Sequence, residues 1–184
     1  MTAMPPFLLI EPEDLLNMPD GENYELINGI PTEKAMSVDS EIIAFDLGTV
    51  LNLFVKQHDL GRAFGSNTGY VCFPNRPRQL RKPDVSFIAK ERLPQDYRPK
   101  ATITVAPDFV VEVISPNDVY GEVEAKLTDY HSAKVKLIWI ICPESKTVLI
   151  RRLDDSAQVV RESGTLTGED VIPGFEVKVA DLFI

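Results

Sequence analysis

The sequence predicts an α/β fold in which helices cover both faces of a mixed sheet. Apolar segments rich in β-branched and aromatic residues alternate with two long amphipathic segments, which is the pattern of strands and helices. Residues 137–142 form a continuous apolar run, typical of a strand that is buried on both faces. A helical segment separates this run from an apolar strand at residues 108–115, so helices and central strands share one layered core.

The N-terminal third is predicted to contain a short helix, a hairpin and a long helix, at residues 11–18, 24–33 and 38–57. Asn28-Gly29 is a strong signal for a type I′ turn in the hairpin. Ser37 is the expected N-cap of the long helix, whose broad apolar face should pack on the sheet. That face contains Ile42, Ile43, Phe45, Leu47, Val50, Leu51 and Phe54.

The remaining elements are mostly strands. Strands are predicted at residues 62–65, 69–73, 84–88, 108–115, 137–142, 147–153 and 158–162. A helix is expected at residues 119–134, and a short element at residues 179–184. The strands at 84–88 and 108–115 are the candidates for the centre of the sheet because both are apolar and β-branched.

Length and composition indicate one cytoplasmic domain spanning residues 1–184. The 44% apolar content is enough for a core, and no apolar run is long enough for a transmembrane helix. The first ten residues lack the basic residues of a signal peptide. Cys72 and Cys142 are expected to be buried, reduced thiols, and the lack of a Cys/His cluster argues against structural zinc.

The net charge of −9 argues against a general nucleic-acid coat protein. Residues 76–100, however, hold eight basic and three acidic residues. Such a segment beside an acidic metal site would suit a phosphate backbone, whereas the alternative is a set of solvated loop charges. The candidate nucleic-acid contacts are Arg76, Arg78, Arg81 and Lys82.

Two carboxylates stand where apolar residues would be usual. Asp84 precedes the apolar run of one central strand, and Glu112 lies inside the run of the other. If these strands are neighbours, both carboxylates can converge on one divalent cation. The alternatives are a turn-starting Asp84 and a Glu112 that is paired with a lysine or arginine. Asp108 lies roughly 13 Å from Glu112 along a straight strand, so it is the poorer ligand and more suited to a structural role.

The ligand set of two carboxylates suits Mg²⁺ or Mn²⁺, which prefer oxygen. The carbonyl of Val113, next to Glu112 in sequence, is a further candidate ligand. Glu25, in the predicted hairpin, is a candidate accessory carboxylate, whereas Glu41 is expected to be a charge on the helix surface.

Lys126 lies on the stripe of the second long helix that should face the sheet, and Tyr130 follows one turn later. The lysine is expected to reach the metal site and to orient water or neutralise charge there. Its alternative is a surface pair with Glu122. Tyr130 is expected to be either a core residue or a hydrogen-bond partner within the site.

The ordered set of these residues resembles the PD-(D/E)XK nuclease superfamily. In that pattern the acid-x-lysine triplet closes on a lysine, whereas Ile114 stands there in this chain, and Lys126 matches branches with the lysine on the following helix. The wider layout resembles a family of small bacterial proteins that are labelled restriction endonucleases. The matching segments are residues 24–29, 83–85, 107–116, 126 with 130, and 139–143.

The resemblance implies a three-layer α/β/α core of the restriction endonuclease type and hydrolysis of DNA phosphodiesters. Asp84 and Glu112 would hold Mg²⁺, Lys126 would position or activate the attacking water, and a homodimer would be expected. Some family positions differ: residues 36–41 lack a histidine, and Leu137, Ile138 and Cys142 replace Glu, Tyr and Asp. Two alternatives therefore remain open, a non-catalytic module that binds nucleic acid or protein, and a metal-dependent hydrolase of a small phosphorylated molecule.

Overall fold

The computed structural model describes residues 9–34, 36–94, 97–98, 101–116 and 118–183. The three α-helices are α1 Pro12–Asn17, α2 Val38–Gln57 and α3 Tyr120–Ser132. The strands are β1 Tyr24–Ile27, β2 Ile30–Glu33, β3 Gly61–Gly65, β4 Gly69–Tyr70, β5 Val85–Ala89, β6 Thr102–Ile103, β7 Phe109–Val113, β8 Leu137–Cys142, β9 Thr147–Arg152, β10 Ala157–Arg161, β11 Thr165–Thr167 and β12 Glu176–Lys178. Short 3₁₀ helices occupy Gly21–Asn23, Lys90–Arg92 and Val179–Leu182.

The central sheet has six strands in the order β10-β9-β8-β7-β5-β3. Only β7 and β8 run parallel, because α3 connects them as a crossover helix, and the other neighbours are antiparallel. The predicted mixed sheet is therefore confirmed, with the two strands that carry the acidic signals adjacent at its centre.

Each face of the sheet has its own apolar core. On one face, Leu47 and Leu51 of α2 belong to the same buried cluster as Phe87, Val111 and Trp139. On the other face, Leu127 and Tyr130 of α3 join a cluster with Ile88, Val110 and Ile138. Alternate residues of β5 and β7 enter opposite clusters, as the strand period of two requires. The predicted three-layer α/β/α core is confirmed.

Local signals account for the hairpin and for the start of α2. Asn28 and Gly29 have φ of 53° and 88°, the positive values that a type I′ turn requires. Ser37 Oγ accepts a hydrogen bond from the backbone N–H of Ser40 at 3.2 Å, which caps the helix.

Several expectations differ from the structure. The strand predicted at residues 69–73 is paired only over Gly69–Tyr70, and the small β4–β6 and β11–β12 pairs were not expected. On α2, Ile43 is buried, but Ile42 and Phe45 face outward, so the apolar face packed on the sheet is narrower than expected. Cys72 and Cys142 are free thiols, as expected, but half-buried. Lys100, counted in the basic segment, lies outside the described residues.

Among the helices in the described part of the chain, none combines the length and apolarity that a membrane span needs.

Candidate active site

The two predicted metal ligands lie side by side at the ends of the central strands. The register pairs Val85 of β5 with Val111 of β7, so the next residues outward, Asp84 and Glu112, stand opposite each other. The backbone N–H of Asp84 donates to the carbonyl of Val111 at 3.0 Å, and Asp84 Oδ2 accepts from the N–H of Val113 at 2.7 Å. Both carboxylates are about 95% buried or more, at 3% and 4% exposure. They share one face of the sheet because directly opposed residues project to the same side.

Glu112 is held by two groups from α3. Lys126 Nζ lies 2.8 Å from Glu112 Oε2, and the hydroxyl of Tyr130 donates to Glu112 Oε1. Burial opposes ionisation of Glu112, but the ammonium groups of Lys126 and Lys34 outweigh it and hold its pKa below the ordinary value. Glu112 is therefore an anion at neutral pH. The ion pair with a lysine that was considered for Glu112 is therefore present, and its partner is Lys126. The surface pair of Lys126 with Glu122 that was considered from the sequence is not formed, although the structure describes both residues.

Asp84 has a different electrostatic environment. Burial raises its pKa above the ordinary value, the Lys34 ammonium at 2.7 Å from Oδ1 works against this, and the charge of Glu112 adds to it. Lys34 follows β2, and sequence reasoning missed it. A single lysine after a hairpin strand carries no signal of burial, and only the docking of the hairpin against the segment that precedes β5 brings it to Asp84.

The two carboxylates open into one cleft with a volume of about 380 Å³. Lys34, Val113 and Lys126 also line it. Acidic side chains outnumber basic ones in the lining. They are Glu25, Glu33, Asp84, Glu112, Asp118 and Glu122. Apart from Lys34 and Lys126, Arg81 is the basic side chain that contributes to the lining. An anionic ligand would meet net negative charge in this cleft.

The donor set fits a hard divalent cation. Asp84 Oδ1 is buried, and its partner among the described residues is the Lys34 ammonium at 2.7 Å. No group of three or more His, Cys, Asp or Glu side chains is placed to hold a metal in the described part of the chain. An ion would therefore take its side-chain ligands from Asp84 and Glu112 alone. The carbonyl of Val113 projects toward Asp84 as its N–H does, since both point the same way in a strand.

Glu25 lies in the cleft, but its oxygens are already used. Oε2 accepts from Arg81 Nη1 at 2.8 Å, and Oε1 accepts from the backbone N–H of Lys82 at 2.6 Å. Glu25 therefore ties the hairpin to the segment that leads into β5. Each oxygen of Glu25 already has a donor, so its contacts are those of a residue that positions the hairpin.

The expected nucleic-acid role of Arg81 and Lys82 does not fit their burial. Each is 4% exposed. Arg81 Nε donates to Asp129 at 2.7 Å in addition to its bond with Glu25, and Lys82 Nζ donates to the carbonyls of Gly21 and Glu22. These contacts pair both cations inside the protein, although Arg81 also lines the cleft. Their burial was not expected, because both lie in a segment with the composition of a solvated basic loop.

Arg76 and Arg78 are the two members of the set that reach the surface. Their side chains are 42% and 45% exposed, and they pair with Asp129 and Glu11 respectively. The Arg78–Glu11 pair is exposed on both sides and therefore weak, whereas Arg76 is tied to a buried carboxylate.

Asp108 lies outside the cleft, at the other end of β7. Oδ2 accepts from the N–H of Ala89 at 2.9 Å, and Oδ1 pairs with Arg92 and Lys136, each at 2.9 Å. These contacts agree with the structural role expected for it and leave it no part in the site.

The position of Ile114 explains how a lysine on the helix can serve the site. Residue 114 projects to the same side as Glu112, because residues i and i+2 of a strand share a face. Ile114 packs in the apolar cluster under α3, and Lys126 enters the same side of the sheet from that helix. An ammonium group thus reaches Glu112 without a lysine on the strand.

Comparison with known proteins follows from this architecture. A family model described as "Putative restriction endonuclease", the Uma2 family, matches residues 12–180. The chain belongs to the Uma2 family. This confirms the family resemblance derived from the sequence, and the match spans every residue of the cleft.

A solved structure supports the Uma2 fold. The chain resembles a protein from Anabaena variabilis described as a "putative nuclease", with a TM-score of 0.81 and 22% identity over 95% of this chain and 97% of that one. At this identity the likeness concerns the fold. No curated protein matched the chain.

Proposed function

We propose that the protein is a Mg²⁺- or Mn²⁺-dependent endonuclease that hydrolyses phosphodiester bonds in DNA. The observation that carries the proposal is the meeting of Asp84, Glu112 and Lys126 in one cleft, from three separate elements. Membership of the Uma2 family supports the same reaction class.

Asp84 and Glu112 would hold the divalent ion, with the Val113 carbonyl as a further oxygen. When bound, such an ion acts as a Lewis acid on a phosphoryl group. The acidic lining supports the need for a bound cation. Without one, Glu33, Asp118 and their neighbours would repel a phosphate.

Lys126 would act through its charge and its N–H donors. Burial favours loss of its proton, but the adjacent Glu112 carboxylate outweighs burial and raises the pKa of Lys126 above its ordinary value. Lys126 is therefore an ammonium at neutral pH and a poor general base. It is suited to orient water and to stabilise the negative charge that develops as water oxygen bonds to phosphorus and the sugar oxygen leaves.

Tyr130 would position Glu112. Burial and the charge of Glu112 raise the pKa of Tyr130 well above its ordinary value, so its hydroxyl remains a donor. The bond to Oε1 fixes the carboxylate while Lys126 contacts Oε2.

The decisive test is Mn²⁺ titration by calorimetry with plasmid nicking on the same samples, for the wild type and Asp84→Asn. We expect the wild type to bind and nick, and the variant to lose both. Asp108→Asn is the matched control, since Asp108 is equally buried but lies outside the cleft. Absence of Mn²⁺ binding by the wild type would refute the proposal.

We predict that Lys126→Ala keeps Mn²⁺ binding and lowers nicking by about 10²–10⁴-fold, the usual contribution of a positioned proton-donating group. The variant removes the ammonium from the cleft and leaves both carboxylates. Lys146→Ala is the control, because Lys146 pairs with Glu162 at the surface. Unchanged nicking by Lys126→Ala would reduce Lys126 to a counter-ion of Glu112.

DNA contact at the protein surface would fall to Arg76 and Arg78, the exposed members of the basic set. We predict that Arg78→Ala weakens binding of a DNA duplex and reduces its salt dependence by about one counterion, without changing Mn²⁺ affinity. Fluorescence anisotropy across a salt series measures both quantities. An unaltered salt slope would exclude Arg78 from the interface.

A second candidate function is hydrolysis of a small phosphorylated molecule. The cleft volume of about 380 Å³ falls within the range of small-molecule sites. In addition, two of the four candidate DNA-contacting residues, Arg81 and Lys82, are buried. Salt separates the two candidates, because DNA binding weakens steeply with salt and turnover of a small molecule does not. Mn²⁺ binding without either activity would favour the non-catalytic alternative. The homodimer and the cytoplasmic location stay predictions.

A further inference from the structure

We propose that Lys34 is an internal counter-cation of Asp84, which a divalent ion must displace in order to bind. This inference rests on the proposed metal site and adds what controls its affinity.

The ammonium group of Lys34 is surrounded by oxygen atoms. Its Nζ lies 2.7 Å from Asp84 Oδ1, donates to the carbonyl of Lys82 at 2.6 Å, and approaches the carbonyl of Ser66 at 3.5 Å. The side chain is only 10% exposed. One carboxylate and two carbonyl oxygens thus surround the ammonium, which is the partner of Asp84 Oδ1.

The charges explain why this lysine matters. Asp84 and Glu112 are buried together, and two adjacent buried anions are costly without compensation. Lys34 serves Asp84, as Lys126 serves Glu112, so the four groups sum to zero charge. A divalent ion entering this arrangement would bring two excess positive charges within a few ångströms of two ammonium groups.

Lys126 and Lys34 differ in how freely they can leave. Lys126 is fixed on α3 within a regular helix, whereas Lys34 lies beyond the last residue of β2. Lys34 can release Asp84 and keep the carbonyls of Lys82 and Ser66 as partners, whereas the partner of Lys126 among the described residues is Glu112 itself. Lys34 is therefore the cation that yields when a metal binds.

The test is Mn²⁺ affinity, measured by the electron paramagnetic resonance signal of free Mn²⁺, in the wild type and Lys34→Met. We expect Lys34→Met to bind Mn²⁺ at least about tenfold more tightly, because a like charge is removed from a poorly screened site. Without metal its melting temperature should fall, since buried Asp84 loses its partner, and Mn²⁺ should restore it more than in the wild type.

Lys136→Met is the matched control. Lys136 also pairs with a buried aspartate, Asp108, at 2.9 Å, and its loss changes net charge equally. Its Mn²⁺ affinity should stay within about twofold of the wild type, as expected for a charge outside the cleft. Lys34→Arg keeps the charge and should bind like the wild type, which covers the case of a poorly folded Lys34→Met.

The outcomes separate the two proposals. Mn²⁺ binding by the wild type with equal or weaker binding by Lys34→Met overturns the role of Lys34 and leaves the metal site standing. No binding by any of these proteins overturns the metal site and, with it, this inference.

A second and independent observation concerns the outer face of α2. Val38, Ile42, Phe45 and Leu53 lie along one stripe of this helix and are 72%, 50%, 73% and 63% exposed. Four large apolar side chains exposed by half or more along one helix face form a contiguous apolar patch of the kind that marks an interaction site. We infer that a second copy of this chain covers the stripe, with the two α2 helices antiparallel.

Charge complementarity selects that occupant. The exposed acidic residues Asp39, Glu41 and Asp46 lie in the first half of α2, and Lys56 lies in its last turn. In an antiparallel pair related by a two-fold axis, Lys56 of each copy meets the acidic turn of the other, and the helix dipoles oppose favourably. The stripe residues then meet each other along the middle of the helix.

The neighbouring surface provides further area. A groove of about 400 Å³ runs between α2 and β3, and Phe45 and Leu53 form part of its wall. β3 is the edge of the central sheet among the described strands. Stripe and groove are continuous through Phe45 and Leu53, so a partner on the stripe would also cover the groove.

Sedimentation velocity over a concentration series tests this interface. The wild type should dimerise, and Phe45→Glu with Leu53→Glu should be monomeric with an unchanged circular dichroism spectrum. Val159→Glu, at a 57% exposed position on β10, is the matched control and should dimerise. Lys56→Glu should weaken the dimer, and adding Asp39→Lys and Glu41→Lys should restore it.

Two results would overturn the interface. A wild type that stays monomeric at its highest attainable concentration would exclude a second copy as the partner of the stripe. A dimer that survives Phe45→Glu with Leu53→Glu would place the contact elsewhere.

Discussion

Replacement of Glu112 by glutamine is expected to abolish Mn²⁺ binding and nicking together. Mutation of a residue that hydrogen-bonds to a metal ligand usually lowers metal affinity or activity by about 10–100-fold. Mutation of a ligand itself should therefore lower Mn²⁺ affinity by more than about 100-fold. Glutamine preserves the shape of the side chain and can accept the Tyr130 hydrogen bond, but it removes the charge that Lys126 faces. Calorimetry and plasmid nicking measure the two losses on one preparation.

Glu25→Gln is the informative comparison for that variant. Glu25 lines the same cleft, but both its oxygens are engaged by Arg81 and Lys82. It should keep Mn²⁺ binding and melt at a lower temperature, which is the reverse of Glu112→Gln. Wild-type Mn²⁺ affinity in Glu112→Gln would exclude Glu112 as a ligand.

The second large effect is expected on stability, at Asp129. This fully buried carboxylate accepts from Arg81 at 2.7 Å and Gln79 at 2.7 Å, and it also pairs with Arg76. Asp129→Ala should lower the free energy of unfolding by about 3–5 kcal/mol, the usual cost of breaking a buried pair, because Arg81 and the buried amide of Gln79 both lose their acceptor. Urea denaturation followed by circular dichroism measures it.

Glu11→Ala provides the contrast for Asp129→Ala. Its pair with Arg78 is exposed on both sides, at 46% and 45%, so its loss should cost at most about 1 kcal/mol. A similar small effect of Asp129→Ala would mean that water reaches Arg81 in the variant, and that the network contributes little to the fold.

The elements that the sequence predicts well are those with a local cause. The Asn28-Gly29 turn, the Ser37 cap and the apolar runs of β7 and β8 each have a signal within a few residues. The parallel pairing of β7 with β8 was not predicted, although the helix between them in sequence is what makes it possible. The two-residue pairing of β4 with β6 has no such local cause, since it depends on where two loops meet.

Among the site residues, the same division holds. Glu112 and Lys126 were found because each interrupts an apolar pattern that faces the core. Lys34 interrupts no pattern, and its partner lies 50 positions away in sequence. Arg81 and Lys82 have the composition of a surface loop. The partners that compensate their burial come from distant elements, the carboxylates of Glu25 and Asp129 for Arg81 and the carbonyls of Gly21 and Glu22 for Lys82.

The alternation of β7 also protects the geometry of the acid. Val111 and Val113 enter the core under α2, while Glu112 between them points to the other face. A slip of β7 by one position against its neighbours would drive Glu112 into that apolar core and expose both valines. The pairing register of the acid is therefore enforced by residues that take no part in chemistry. Mutations that loosen the packing around Val111 should consequently misplace the carboxylate before they unfold the protein.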